Sequence, residues 1–302
     1  MTGVGAAPTL SELYPGVPGP PPKKLEDVRG WLAPADQMLF AWLLDRQNRV
    51  EPPGDLVELG VYQGRSAIHI ASFRKPDEQM VVCDLFDFAR NESSILPGAR
   101  REYATLTQQT FERNFLAFHD ELPVIVRGLS EIIVDHVAAG SCRFVHVDAS
   151  HMYEHVRRDM LSARSLLRPD GIVVFDDYRT EHCPGTAAAV WEAMATDGLK
   201  AICVSANKFY GTWGDPKAVQ DELIEYVPTS ADYRCDIQQV MGQRLIRVAK
   251  IPPKSARAAL ANGGSVDARR RRWRAVAVEV LPPFVVSAVR KRRGAGRLGR
   301  RS

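Results

Sequence analysis

Short apolar runs recur along the middle of the chain, each with glycine or aspartate at or near its end. In chain order they are DLVELGV, MVVCDLF, PVIVRG, RFVHVDA and GIVVFDDY. Near-continuous apolar runs of this length are typical of parallel strands that are buried on both faces. Between them, apolar residues such as Val156, Met160 and Ala163 recur three or four positions apart, as in helices. The alternation predicts an α/β fold with a doubly wound, mostly parallel sheet.

Two further apolar runs, KAICVSA and KFYGTWG, are separated by little more than Asn207 and predict an antiparallel hairpin at one edge of the sheet. Residues 215–253 predict a helix and a final strand, QRLIRVAK. Proline is favoured at the first position of a helix, so PADQMLFAWLLDRQ from Pro34 predicts a helix that covers the first strand.

Proline also marks the beginning of the chain. Residues 1–33 contain YPGVPGPPPKK, whose fixed φ angles and missing N–H donors disfavour regular structure. We therefore expect an N-terminal arm over residues 1–33, either ordered on the surface or flexible. One α/β domain over residues 34–253 and a tail over residues 254–302 complete the predicted organisation.

Composition narrows the class of protein. The chain has 302 residues, of which 45% are apolar and 25% charged, as expected for a soluble globular protein. It has no uncharged run of about 18 residues that could span a membrane and no signal-like start, which predicts a cytoplasmic location. The five cysteines are odd in number and widely spaced, so we expect reduced, buried thiols rather than disulfides or a zinc motif.

The C-terminal tail differs in charge from the rest of the chain. Twelve of the 40 Lys and Arg residues lie between Arg269 and Ser302 beside a single acid, Glu279, so the remainder carries a net negative charge. An apolar stretch between the two basic clusters is interrupted by Pro282 and Pro283 and is too short to span a bilayer. The tail could lie on an anionic membrane surface at the inner face, solubilise the protein as a disordered segment, or attract RNA.

A glycine-containing turn follows the first strand in VELGVYQGRSAIHIA. Gly60 and Gly64 would let the backbone turn sharply and approach a ligand at the start of the next helix. The spacing differs from the G-x-G-x-x-G pattern of dinucleotide sites, and Glu58 favours a ligand that carries an ammonium or sulfonium group. Asp84 ends the second strand, where a carboxylate can accept both hydroxyls of a ribose. A tight turn without a ligand is the alternative.

These segments, together with RGLSEII and GIVVFDDY, resemble the class I S-adenosylmethionine-dependent methyltransferases. The resemblance runs from about Asp55 to Trp213 and is strongest to the small-molecule O-methyltransferases, among them macrocin-type sugar enzymes and catechol-type enzymes. It implies a Rossmann-like methyltransferase fold with a seven-stranded sheet and an antiparallel hairpin at one edge. It also implies a methionine site at Glu58, Gly60 and Gly64, and a ribose site at Asp84. The adenine site would be formed by Gly128, Ser130 and Glu131.

Aspartates end the fourth and fifth strands. Asp148 follows one, and the Asp176–Asp177 pair follows the other, so three carboxylates should meet at one edge of the sheet. Like charges this close repel by several kcal/mol unless a cation lies among them, and oxygen donors suit Mg²⁺ or another divalent ion. The metal-dependent members of the resembling group carry the same aspartate pattern. In the alternative, one aspartate caps the following helix and the others are solvated.

His151 lies three residues after Asp148, the offset at which the resembling catechol-type enzymes carry a lysine base. Imidazole is suited to receive the proton of a metal-bound hydroxyl near neutral pH, so we expect His151 to be the general base. Many relatives have a second acid where this chain has Ser150. We expect His146, inside the strand, to be a core residue.

The sequence thus predicts an O-methyltransferase dependent on S-adenosylmethionine and a divalent metal. Its expected acceptor is a sugar, glycan or natural product with neighbouring hydroxyls. A non-catalytic binding or scaffold protein of the same fold and a nucleotide-dependent oxidoreductase are the alternatives. Nucleic acid is not the expected acceptor because the core is acidic, and homo-oligomerisation stays open.

Overall fold

The apolar runs of the sequence form neighbouring strands of one sheet. A computed structural model describes residues 8–86 and 106–252 of the chain. Within these residues the strands are β1 Asp55–Leu59, β2 Met80–Asp84, β3 Val124–Arg127, β4 Cys142–Val147, β5 Leu167–Phe175, β6 Lys200–Val204, β7 Phe209–Thr212, β8 Tyr233–Val240 and β9 Gln243–Lys250. The predicted α/β fold class is confirmed.

Helices connect the strands. The α-helices of the described residues are α1 Leu10–Leu13, α2 Pro34–Val50, α3 Arg65–Ala71, α4 Gln108–Leu116, α5 Tyr153–Leu166, α6 Pro184–Thr196 and α7 Lys217–Tyr226. Short 3₁₀ helices occur at Leu25–Asp27, Ser130–Asp135 and Val227–Thr229. Helix α2 begins at Pro34, as its sequence predicts, because proline needs no hydrogen-bond acceptor at that position.

The order of the strands creates a crevice. Across the sheet it is β3-β2-β1-β4-β5-β7-β6-β9-β8, and the first five are parallel. The chain runs outward from β1 through β2 to β3, then crosses to the other side of β1 and continues through β4 and β5. The strand order therefore reverses between β1 and β4, which is the point at which ligands bind in open α/β sheets. Leu59 pairs with Val147, and Val147 pairs with Phe175. The residues that follow these three strand ends at the same edge are Gly60, Asp148 and Asp176.

Nine strands, rather than the expected seven, form the sheet in the described part of the chain. The predicted hairpin is present, since β6 and β7 are antiparallel, but β9 pairs in parallel with β6 and β8 lies beyond it. Met241 and Gly242 connect β8 to β9 with φ angles of 52° and 75°. Two consecutive positive φ angles are typical of the two-residue turns that join hairpin strands.

Alternate residues of the central strands pack on opposite faces of the sheet. Phe144 belongs to the core cluster under α2, α3 and α4, which includes Phe40 and Phe111. Its neighbour Val145 belongs to the cluster under α5 and α6, which includes Met160. Fully burying each of these large side chains stabilises the fold by about 1.5–3 kcal/mol.

The N-terminal arm packs against this domain over its described residues. Arg113 donates Nη1 hydrogen bonds to the carbonyl oxygens of Val17, Pro18 and Gly19 at 2.9–3.2 Å, and Val28 is buried. These contacts hold residues 8–33 against the domain.

Some expectations lie outside the described residues. They include the basic C-terminal tail, residues 254–302. None of the helices within residues 8–86 and 106–252 has the length and apolar character needed to cross a membrane.

Candidate active site

Gly60 brings the turn after β1 against the end of β4. Its φ is 80°, and a Cβ atom at this position would lie 2.3 Å from the carbonyl oxygen of Asp148. The Asp148 N–H in turn donates to the Leu59 carbonyl oxygen at 2.7 Å. A side chain is excluded by contact and by backbone conformation, so glycine is required for this approach. The predicted methionine turn and the first predicted metal aspartate are therefore in direct contact.

Gly64 and Asp84 complete the turn. Gly64 is the N-cap of α3, with a φ of 95°, and a Cβ atom there would lie 2.9 Å from the Phe111 ring. Asp84 Oδ2 accepts backbone N–H groups of Val61 and Tyr62 at 2.8 and 3.0 Å. Burial raises the pKa of Asp84, and the backbone donors oppose this rise. The carboxylate thus fixes the turn from the end of β2, the position predicted for the ribose acid.

The residues predicted for the adenine site follow β3. The Gly128 N–H donates to the Asp84 carbonyl oxygen at 3.1 Å, so this residue lies at the same edge as the turn. Ser130 begins a 3₁₀ helix. The exposed Glu131 accepts an Nη1 hydrogen bond from Arg158 of α5 at 2.9 Å. Glu131 is therefore engaged on the surface, whereas Gly128 lies next to Asp84.

Glu58 lies inside the sheet rather than at its edge. Its Oε1 accepts a hydrogen bond from the Ser66 hydroxyl and lies 2.7 Å from His146 Nδ1. Its Oε2 is buried and has no hydrogen-bond partner within the described residues. Burial raises the pKa of Glu58 to about 8. The carboxyl group is therefore buried against α3 and β4, where it contacts Ser66 and His146.

His151 lies between two of the predicted metal aspartates. Its Nε2 is 3.1 Å from Asp177 Oδ2 and 3.9 Å from Asp148 Oδ1, and all three side chains are half-buried. The two carboxylates raise the pKa of His151 to about 10, and the imidazole lowers the pKa of Asp177 to about 2. Burial and the nearby Asp176 raise the pKa of Asp148 to about 8. The expected base and two of the expected ligands thus form one cluster.

Asp176 forms an ion pair that the sequence did not reveal. The ammonium group of Lys208, directly before β7, contacts Asp176 Oδ2, and both side chains are buried. Lys208 Nζ also lies 3.1 Å from His146 Nε2. Burial alone would raise the pKa of Asp176, but Lys208 holds it below its ordinary value. The core histidine expected at position 146 therefore connects Glu58 to Lys208.

A further acid joins this buried network from α2. Asp36 is 1% exposed and accepts the Tyr210 hydroxyl hydrogen bond at 2.6 Å. Burial raises the pKa of Asp36, and the charge of Lys208 opposes this rise. In the sequence, the one signal for this network is a lysine inside the otherwise strand-like run KFYGTWG.

The predicted metal aspartates divide between two groups of potential metal ligands. Donor atoms of Asp148, Asp176 and His146 lie within 4.8 Å of one another, and those of Asp177, His151 and Cys183 form a second such group. Carboxylate oxygens with open positions suit Mg²⁺. The capping alternative does not apply, since α5 and α6 have Met152 and Cys183 as N-caps without side-chain hydrogen bonds.

Comparison with known proteins agrees with this arrangement. Residues 57–178 match the family model of a methyltransferase domain. The match covers less than half of the chain and shows similarity to a methyltransferase domain over that part. The matched stretch runs from β1 to the residue after Asp177 and includes the glycine turn, Asp84, Asp148 and His151. None of the curated proteins matches the chain.

Solved structures give weaker similarities. The O-methyltransferase NovP is 20% identical, with 59% of this chain and 79% of that chain covered and a TM-score of 0.47. CalS11, a TDP-rhamnose 3'-O-methyltransferase of calicheamicin biosynthesis, is 20% identical, with 61% and 83% covered and a TM-score of 0.40. An O-methyltransferase from Bacillus cereus in complex with SAH is 14% identical, with 69% and 93% covered and a TM-score of 0.45. Similarity of this degree assigns no substrate.

Proposed function

We propose that the chain transfers a methyl group from S-adenosylmethionine to a hydroxyl of a small polyhydroxylated acceptor, with a divalent metal at the acceptor. One observation carries this proposal. The glycine turn expected to hold the methyl donor touches the residue that begins the carboxylate cluster, since Gly60 packs against the backbone of Asp148. Methyl transfer requires donor and acceptor to be aligned in contact, and this crevice brings the two predicted sites together.

The residues of the cofactor side fit a bound S-adenosylmethionine. Positive φ angles at Gly60 and Gly64 leave the turn without Cβ atoms. Asp84 holds the backbone of that turn through two N–H groups. Glu58, on β1, has one unpartnered oxygen among the described residues, and Gly128, with Ser130 and Glu131 after it, follows β3. We assign this side of the crevice to the cofactor.

On the acceptor side, Asp148, Asp176 and Asp177 would hold the metal, and His151 would take the proton of the acceptor hydroxyl at Nε2. When bound, S-adenosylmethionine would supply the electrophilic methyl group, and the metal would lower the pKa of the acceptor hydroxyl. The carboxylates beside His151 raise its pKa to about 10, so without a metal its imidazole keeps a proton at neutral pH. A cation bound to Asp148 and Asp177 would compensate their charge and lower the pKa of His151, which would free Nε2 to accept the proton. Two neighbouring hydroxyls on a sugar, glycan or natural product are the acceptor shape that suits this arrangement.

Methyl-transfer assays with labelled S-adenosylmethionine and a library of polyhydroxylated compounds test this proposal. Turnover should be lost when the full chain is stripped with a chelator and restored when Mg²⁺ is added back. Full activity of stripped protein in excess chelator would refute the metal. Calorimetric titration with S-adenosylmethionine and with NAD separates the proposal from an oxidoreductase. Cofactor binding without any turnover would favour a scaffold protein.

We assign the catalytic domain to residues 34–253, with residues 1–33 as an arm and residues 254–302 as a tail. The basic and apolar composition of the tail supports binding to an anionic membrane surface. Sedimentation with anionic liposomes at physiological salt should be lost on deletion of residues 269–302. Equal sedimentation of both proteins would refute membrane binding while leaving the methyltransferase proposal untouched.

A further inference from the structure

Three donor atoms of different chemistry meet beside the carboxylate cluster. His151 Nε2 lies 3.1 Å from Asp177 Oδ2, and Cys183 Sγ lies 3.9 Å from the same oxygen. All three donor atoms are within 4.8 Å of one another. His151 Nε2 is also a buried nitrogen without a well-directed hydrogen bond in the described part of the chain. One nitrogen, one oxygen and one sulfur therefore face a common point.

Contacts within the segment from Asp177 to Cys183 hold two of these side chains in place. The Thr180 hydroxyl donates to Asp177 Oδ1 at 2.6 Å, and the Cys183 N–H donates to the Thr180 carbonyl oxygen at 3.0 Å. Gly185, in the first turn of α6, packs so closely that a Cβ atom there would lie 2.4 Å from the His151 carbonyl oxygen. The start of α6 is thus held against the segment that carries His151, and Cys183 is buried between them.

We propose that His151, Asp177 and Cys183 form a binding site for a thiophilic divalent cation such as Zn²⁺ or Co²⁺. Zinc bonds of about 2.0–2.3 Å in tetrahedral geometry place neighbouring donor atoms about 3.3–3.6 Å apart. The observed separations of 3.1 and 3.9 Å lie close to this range on either side. Three protein ligands leave a fourth position open, as in zinc sites that bind a further ligand.

The donor set separates this site from the Mg²⁺ site. Magnesium prefers oxygen ligands, whereas thiolate selects softer ions. A thiol binds a cation as the thiolate, after losing its proton. Binding should therefore release a proton that a serine at this position would not release.

Zinc bound in this way has a consequence that rests on the proposed function. His151 Nε2 is the atom that would accept the acceptor proton, and Asp177 is one of the proposed magnesium ligands. A thiophilic ion that occupies both would compete with Mg²⁺ and block deprotonation. The chain would then be inhibited by low concentrations of Zn²⁺ in the presence of excess Mg²⁺.

Cobalt absorption tests the site without any assay of activity. The full chain, stripped of metal and kept reduced, is titrated with Co²⁺ while the near-ultraviolet thiolate-to-cobalt charge-transfer band is recorded. We expect the band in the wild type and in the control Cys235→Ser, which changes a half-buried cysteine elsewhere. We expect its loss in Cys183→Ser, with Zn²⁺ affinity lowered by at least about tenfold, since loss of even an outer-shell partner of a metal ligand costs about 10–100-fold.

Absence of the band in the wild type, or its survival in a folded Cys183→Ser protein, would overturn the site. Circular dichroism of each variant establishes that it is folded. A band that depends on Cys183 in a protein without methyl transfer would mean that the site stands and the proposed function fails. Magnesium-dependent turnover without a band would mean that the proposed function stands and the thiophilic site fails.

Discussion

Lys208→Met should destabilise the protein strongly, because it removes the cation from a group of buried acids. The Lys208 side chain is 1% exposed and that of its partner Asp176 is 7% exposed. Removing one partner of a buried ion pair costs about 3–5 kcal/mol, since the remaining charge has no compensation. Methionine has a similar length and keeps most of the apolar packing against Phe40, whose ring centroid lies 5.8 Å from Lys208 Nζ. The loss should therefore reflect charge rather than a cavity.

The size of the effect depends on what remains around Asp176. Lys208 also lies 3.1 Å from His146 Nε2, and its charge opposes the rise of the pKa of Asp36. Burial would raise the pKa of Asp176 once Lys208 is removed, so part of the cost is relieved by protonation. The double variant Lys208→Met/Asp176→Asn removes both charges and should recover part of the lost stability.

Urea unfolding followed by circular dichroism, in chelator so that no metal compensates for the missing charge, measures this loss. Lys217→Met is the matched control, because Lys217 is 74% exposed and pairs with Asp221 one turn away on the surface of α7. Exposed ion pairs contribute little, so the control should unfold almost as the wild type does. If Lys208→Met loses no more stability than Lys217→Met, Lys208 does not stabilise the buried acids as we infer.

Three further predictions concern the turn, its buried acid and the base. Gly60→Ala should lower the free energy of unfolding by more than the roughly 1–2 kcal/mol of left-handed backbone strain, since the new Cβ atom would lie 2.3 Å from the carbonyl oxygen of Asp148. Gly140→Ala has a positive φ but nothing within 4 Å, so thermal melting should show only that strain. Burial raises the pKa of Glu58 from 4.5 to about 8, so the folded state keeps a proton that the unfolded state releases in this window. The free energy of unfolding should then fall as pH rises, by at most about 1.4 kcal/mol per pH unit. Urea titrations at several pH values should give a flatter dependence on pH for Glu58→Gln than for the wild type. An equal dependence in both proteins would contradict this. His151→Ala should lower turnover by about 10²–10⁴-fold and leave cofactor affinity almost unchanged. The control His155→Ala, on α5, should keep near-normal turnover. Near-normal turnover of His151→Ala would show that His151 is not the base.

The fold could be predicted because its signals are local. Apolar runs mark the strands, and Pro34 marks the first residue of α2. The extra strand β8 was missed because its sequence, YRCDIQQV, is half polar and most of its residues are at least partly exposed. Such a strand at the end of a sheet needs no continuous apolar run, so its pattern does not separate it from a loop.

The candidate site could be predicted only in part, because sequence gives position along a strand more readily than contacts across it. The ends of β4 and β5 predict that Asp148 and Asp176 lie together, since neighbouring parallel strands end at one edge. The partner of Asp176 comes from Lys208, on a later hairpin, and a single lysine in a strand-like run is ordinarily a surface residue. Glu58 has the same limitation, since its position on β1 did not reveal that His146 would pair with it.

The buried network is better explained by orientation than by stability. Replacing a whole buried ionic group with apolar residues is often neutral or stabilising, so stability alone does not favour such a group. Glu58, His146, Lys208 and Asp176 instead form a continuous series of contacts from β1 to the end of β5. Glu58 lies two residues before Gly60, and Asp176 belongs to the carboxylate cluster. Because His146 is shared, the effects of changing Glu58 and Lys208 should not add in a double-mutant cycle of unfolding free energies. Additive effects would mean that the two halves of the crevice are positioned independently.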